Sequence, residues 1–210
     1  MKQLIIIGAG GMGRTIYSNA LEGIGYGDRY VVKGFIDDNL RALDGFPNYP
    51  PILDTIKDYI PQQDDVFVSS IGGASRRPCM EEIIGRGGEF MELIHKTARI
   101  YNNAKLGKGN FIGAYSVIGN DAEIGDYNMI QAYSVIGHDA KVGCWNRIDT
   151  HVTCVGGIVI EDEVNIHTSA VISHGVTVGS GAHVGALSFV IRKVKAGTTV
   201  CGNPAKKIDF

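Results

Sequence analysis

Two histidines hold matched places in this sequence. His138 stands in "IGHDAKVG" and His174 in "ISHGVT", 36 residues later, with Gly156 midway and Asn120 18 residues before His138. Imidazole has a reference pKa of about 6.5, so it can take a proton at neutral pH and suits general-base work. Asp139, next to His138, suits a hydrogen bond to the second ring nitrogen that fixes tautomer and orientation. The pair also raises a metal reading, but a zinc site needs at least three protein ligands plus water. After His174 the segment "GVTVGSG" has no His, Cys or acid, and the next candidate, His183, lies at the sixth place of its hexad, so no metal is expected.

A second constellation lies at the start. "GAGGMGR" brings Gly8, Gly10, Gly11, Met12 and Gly13 directly behind the strand Lys2–Ile7. Glycines between a strand and a helix let a phosphate approach backbone N–H groups at the helix N-terminus. Asp37, closing the next strand "YVVKGFIDD", suits a ribose hydroxyl, as in nicotinamide enzymes.

The elements that must position these residues come in two textures. Up to about residue 93 the order is β-α-β: strands at 2–7, 30–38 and 65–72, a helix from Arg14 carrying Ile16, Tyr17, Ala20, Leu21 and Ile24, a helix over 76–86, and a strand over 90–94. Residues 44–53 read as a proline-rich connection. This is a small parallel sheet with helices on its faces, one half of a dinucleotide fold and too short for two.

From Ile94 every sixth residue through Ala196 is aliphatic, except Cys154 and Ala196 themselves, which are small and apolar. Glycine often follows that residue, and a small residue often comes four places after it. Neither a helix nor a simple strand alternation gives a strict six, so the repeat implies a coil of flat six-residue sides. With three sides per coil, the aliphatic and small residues point inward, and Gly or Asn takes the corners that need left-handed turns. Eighteen hexads make about six coils and a prism roughly 25–30 Å long. Asn120, His138, Gly156 and His174 then form a column on one corner.

Composition agrees with an ordinary folded protein. Of 210 residues, 44% are hydrophobic and 20% charged, with a formal net charge of −2, so neither a nucleic-acid nor a membrane partner is expected. The apolar run Leu4–Ile7 is too short for a signal peptide or a membrane span. Cys79, Cys144, Cys154 and Cys201 form no CxxC pair and read as reduced thiols, which favours a cytoplasmic location.

The hexads resemble those of the bacterial hexapeptide-repeat acyltransferases, whose domain is a left-handed parallel β-helix. The hand is implied by that resemblance, since the general crossover rule predicts the opposite. The ordered motifs "GAGGMGR", "GFIDD", "SIGG", "LIHKTA", "VIGHDAKVG" and "VCGNPAKKI" are similar to the sugar O-acyltransferases of the sialic acid O-acetyltransferase type, which include N-acetyltransferases acting on nucleotide-linked amino sugars.

The resemblance implies an α/β half-Rossmann domain over 1–93 that binds a sugar nucleotide, and an all-β left-handed β-helix over 94–210 with a C-terminal cap. It implies an acetyl-CoA-dependent transferase serving glycan biosynthesis, a homotrimer with active sites between subunits. His138 is implied as the base with Asp139 behind it, and Gly156 as the oxyanion donor. Gln131, Arg147 and His174 fall near the acyl donor, with Arg147 standing where close relatives carry histidine. Gly202, Pro204 and Lys206 (or Lys207) of the ending "GNPAKK" line the coenzyme A groove, the lysines facing its phosphates. The glycine loop, Asp37, Asp38, and Ile71 and Gly72 of "SIGG" hold the nucleotide, and Met12 replaces a histidine common among relatives. N-acetylation of an amino sugar is favoured over O-acetylation of a sialic acid or related sugar. A non-catalytic or metal-binding β-helix is the alternative of another class.

Overall fold

The computed structural model describes residues 1–208. They divide into two compact units, Met1–Lys96 and a second beginning at Thr97. Residues 209–210 of the expected second domain lie outside the described residues.

The first unit is built on five parallel strands. These are β1 (Lys2–Ile7), β2 (Tyr30–Ile36), β3 (Ile52–Asp54), β4 (Asp65–Ser69) and β5 (Glu89–Phe90), in the order β3-β2-β1-β4-β5. Leu4, Ile5, Ile6 and Ile7 of β1 are all 0% exposed, as a central parallel strand covered on both faces requires. Helix α1 spans Gly11–Leu21 and buries Gly13, Ile16 and Ala20, a stripe at helical spacing. Helix α2 spans Arg76–Gly85. Its Ile83 joins a core of Ile5, Ile7, Ile36, Ile56, Tyr59 and Phe67.

Three expectations shift here. Helix α1 begins at Gly11, not Arg14, because Gly8–Gly10 alone complete the turn; it ends at Leu21, leaving Ile24 55% exposed. The proline-rich connection runs into β3, and the carbonyl of Pro51 just before it accepts the Phe35 N–H at 2.9 Å. Prolines are tolerated there because β3 is an edge strand. The strand expected over 90–94 is two short ones, Glu89–Phe90 and Leu93–Ile94.

The second unit is a parallel β-helix. Its two-residue strands pair with those 18 residues further on, for example Val117 with Val135, Glu123 with Lys141 and Met129 with Arg147. Three stacked faces result. The first runs from Arg99–Ile100 to Phe189–Val190, the second from Lys105–Leu106 to Thr177–Val178, and the third from Phe111–Ile112 to Thr199–Cys201. Ile112, Ile118, Ile130, Ile136, Ile148, Cys154, Ile166 and Ile172 are fully buried, and the small residue four places on shares the interior. Asparagines at that place bond along the stack. Asn110 and Asn128 Oδ1 accept from the Asn128 and Asn146 N–H groups at 2.8 and 2.9 Å.

Glycine and asparagine take the left-handed corners at Asn103, Gly109, Gly157, Gly175, Gly181 and Gly197, as expected, but most corners carry other residues. Left-handed φ falls on Tyr115, Asp121, Tyr127, Tyr133, Asp139, Trp145, His151, Glu163, Ser169 and Leu187, at 57–65°. Such a conformation costs an L-residue about 1–2 kcal/mol, and ring stacking across coils offsets part of it. Tyr115, Tyr133 and His151 stack at 5.0 and 4.9 Å, and Tyr127 and Trp145 at 4.4 Å. The glycine after each aliphatic residue answers a different need. A Cβ at Gly119 would meet the Gly137 carbonyl carbon and the His138 nitrogen at 2.6 Å, so glycine there admits the next coil.

The strict register also ends early. Val178 pairs with Val194 and Val184 with Val200, 16 residues apart, so Val194 takes the interior and Ala196 is exposed. Lys206–Ile208 then adds an antiparallel strand to Thr199–Cys201 and closes the third face.

Candidate active site

The corner between the first and second faces carries the expected column. His138 follows its strand Val135–Ile136, and Asp139 adopts φ 57°, which turns its carboxylate back to the ring. Asp139 Oδ2 lies 2.6 Å from His138 Nδ1. Both side chains are about two-thirds exposed (64% and 66%), so water screens their attraction. The acid's service is therefore orientation, which leaves Nε2 as the working nitrogen.

Gly156, one coil on, lies against that nitrogen. A Cβ there would come within 3.0 Å of His138 Nε2, Cε1 and Cδ2. Among the described residues the Gly156 N–H has no hydrogen-bond partner, whereas the flanking Val155 and Gly157 N–H groups bond to Ile172 O and His138 O. An imidazole nitrogen thus sits beside an unengaged backbone donor. That pair can accept a proton and stabilise a nearby oxyanion. His174 lies two coils beyond His138, about 10 Å along the stack, and is exposed. No three His, Cys, Asp or Glu side chains among the described residues are placed to hold a metal.

Gln131 and Arg147 lie elsewhere, at the third face and the corner beyond it, with the whole first face between them and His138. Sequence reasoning missed their partners. Asp149 accepts from Gln131 Nε2 at 2.5 Å and Arg147 Nε at 2.6 Å, and His167 Nδ1 lies 3.2 Å from it. The signal was present, because Gln131, Asp149 and His167 share one hexad place at 18-residue spacing.

The C-terminal ending packs on the first face. Ala205 N donates to Phe189 O at 2.8 Å, and Phe189 N to Gly202 O at 3.0 Å. That strand is three steps along the stack from the His138 strand, about 14 Å. Here a cavity of about 270 Å³ is lined by Arg192, Lys193, Lys195 and Lys207 together with Val190, Val194, Val200 and Ala205. Pro204 and Lys206 are exposed and do not line it. The cations from 192 to 195 escaped sequence reasoning because they sit where the hexad register breaks.

In the first unit the glycine loop, Asp37, Asp38, Ile71 and Gly72 meet at the C-terminal ends of β1, β2 and β4, the edge where open parallel sheets bind ligands. Gly8 (φ 91°) and Gly13 are packing positions: a Cβ at Gly8 would meet Ser70 Oγ, and one at Gly13 the Gly8 carbonyl oxygen. Gly10 and Gly11 instead face open space. Helix α1 begins there with no side-chain cap and no acid in its first turn, so its N-terminal N–H groups and positive dipole end await an anion. Met12 is half-buried beside them.

Asp37 is already engaged, since its carboxylate accepts the Ala9 and Asn39 N–H groups at 2.7 and 2.8 Å and so pins the loop. Asp38, bonded by Ile56 N at 3.0 Å, lines a cavity of about 200 Å³ with Ile71, Ser75, Cys79 and Glu82. Burial, with the nearby Glu82 and Asp38 charges, pushes the Cys79 thiol up to about 11, so it stays protonated.

Comparison with known proteins follows this division. Residues 3–88 match the PglD N-terminal domain family. GDP-perosamine N-acetyltransferase of Escherichia coli O157:H7 is 29% identical over 212 residues, covering 97% of this chain and 95% of that protein. A 51-residue stretch is 53% identical to 2,3,4,5-tetrahydropyridine-2,6-dicarboxylate N-acetyltransferase of Staphylococcus aureus, but covers only 21% of that protein. The acetyltransferase domain of PglB from Neisseria gonorrhoeae has 27% identity and a TM-score of 0.88, covering 99% of this chain and 100% of that domain. The same domain in complex with acetyl coenzyme A aligns with a TM-score of 0.87.

Proposed function

We propose that the chain is a hexapeptide-repeat sugar acetyltransferase that moves the acetyl group of acetyl-CoA to the amine of a nucleotide-activated amino sugar. The observation that carries this reading is His138 Nε2 lying against Gly156 beside an unbonded N–H. The neutral amine attacks the thioester carbonyl carbon, and His138 takes the proton the nitrogen sheds. Gly156 N–H donates to the oxyanion of the tetrahedral intermediate. When the C–S bond breaks, the imidazolium returns its proton to the departing thiolate, leaving an amide and free coenzyme A.

The four cations around the C-terminal cavity suit the donor's phosphates, at a distance from His138 that the pantetheine arm can cross. The α1 N-terminus suits the acceptor's diphosphate, with Asp38 and its cavity beside it. His138 and the Gln131–Arg147 edge occupy different corners, so a site using both draws them from two copies. A closed ring of three copies supplies three such sites. Both substrates are cytoplasmic metabolites, which puts the reaction in that compartment.

The test is thiol release from acetyl-CoA across UDP-, GDP- and dTDP-linked amino sugars and free sialic acid. Release with a nucleotide amino sugar, abolished in His138→Ala, supports the proposal. Release with a sugar alcohol alone favours O-acetylation, and none with any acceptor refutes the enzyme reading.

A further inference from the structure

Asp149 is 6% exposed, yet carries a carboxylate that three successive coils converge on. Oδ1 accepts from Gln131 Nε2 at 2.5 Å and from Arg147 Nε at 2.6 Å; Oδ2 lies 3.2 Å from His167 Nδ1. The Gln131 amide is held at its other end as well, because Oε1 accepts from Thr150 Oγ1 at 3.3 Å. With Nε tied to Asp149, the terminal guanidinium nitrogens of Arg147 bond to nothing among the described residues, on a side chain 32% exposed. They form an oriented pair of donors turned away from the carboxylate that steers them.

Folding of the coil does not call for this arrangement. At the same hexad place other coils of the third face carry Gly113 and Gly185, and the strands before them pair with a neighbouring coil at the same 18-residue spacing. A buried carboxylate is unfavourable unless paired, so its presence here needs another reason.

We propose that Asp149 is a positioning residue for the acyl donor: it fixes Gln131 and Arg147 in the orientation that holds acetyl-CoA. This rests on the reading above, in which those two side chains line the donor site. Asp149 touches no reacting atom and acts through its partners.

The experiment compares wild type with Asp149→Asn, which keeps size but loses charge, and Asp149→Gly, which installs the residue of the sister coils. Expected in both is a rise of about tenfold or more in KM for acetyl-CoA, with kcat and the acceptor KM changed less than about threefold. Calorimetric affinity for acetyl-CoA should fall in parallel, with thermal midpoints close to wild type. An unchanged acetyl-CoA KM in either folded variant overturns the proposal. So does an equal loss in all parameters that tracks a lowered midpoint, which marks a purely structural role. Wild type that binds no acetyl-CoA brings down the functional reading and this inference together, whereas tight wild-type binding that both variants retain removes this inference alone.

Discussion

Gly156 and His138 constrain one another. The ring occupies the space a side chain at 156 would fill, so Gly156→Ala must swing the imidazole away from the N–H beside it. The coil itself should tolerate the change, because Gly156 has no left-handed φ to preserve. We expect Gly156→Ala to lower kcat about 10²-fold with a near-normal thermal midpoint. His138→Ala should cost about 10²–10⁴-fold, the usual span of a general base. Steady-state kinetics beside thermal melts check both, and full activity in Gly156→Ala would show that the ring need not lie there. The histidine and its acid were legible because chemistry and period coincide at one corner. Asp149 was not singled out, since a lone acid in a polar corner looks like solvated surface until Gln131 and His167 are placed above and below it.

The elements add a contrast within the glycine loop that the motif alone conceals. Gly13 is closed by the Gly8 carbonyl, so Gly13→Ala should push α1 off β1 and lower stability. Gly11 opens a helix onto empty space, and alanine is favoured over glycine in a helix by up to about 1 kcal/mol. Gly11→Ala should therefore fold at least as well as wild type yet weaken sugar-nucleotide affinity, read by melting and by titration. The sequence marked all these glycines alike, since spacing does not say which face an added Cβ would meet. The hexad corners show the same limit: glycines such as Gly157 and Gly175 do turn left-handed corners, but those such as Gly119 and Gly137 serve close approach between coils.

Across the sheet, Asp65 on β4 makes an acid-sensitive joint. Burial raises its carboxyl, but the Lys33 Nζ at 2.8 Å, the Tyr59 hydroxyl at 2.6 Å, the Gln62 N–H at 2.8 Å and the Lys33 charge outweigh that and lower it. A folded pKa below the unfolded one of about 3.9 gives stability that is complete above that pH and lost as pH falls through the folded value. Asp65→Asn should flatten the acid limb of the melting profile between about pH 5 and 2. An unchanged limb would show that other carboxylates govern it.

For the assembled molecule, the layout of corners makes a prediction that no single chain satisfies. His138 and Gly156 share one corner, while Gln131, Arg147 and Asp149 share the third face, and the first face keeps them apart. If each site joins one copy's corner to another copy's face, His138→Ala and Arg147→Ala spoil opposite halves of it. Co-expressed in equal amounts and mixed at random, they should form sites with both halves intact in about one quarter of cases. At acetyl-CoA well below the KM of Arg147→Ala, each variant alone should be nearly inactive, and the mixture should recover about a quarter of wild-type thiol release. With Asp149→Gly in place of Arg147→Ala, about a quarter of the sites should instead regain the wild-type acetyl-CoA KM, because those sites carry an intact Asp149. Mixtures no better than the sum of their parts would put the working groups in one chain, or remove the Arg147 edge from the site. The sequence alone supplies both halves, but not the distance between them: that follows from the three faces of the coil, and it turns a question about a residue's role into one about subunit stoichiometry.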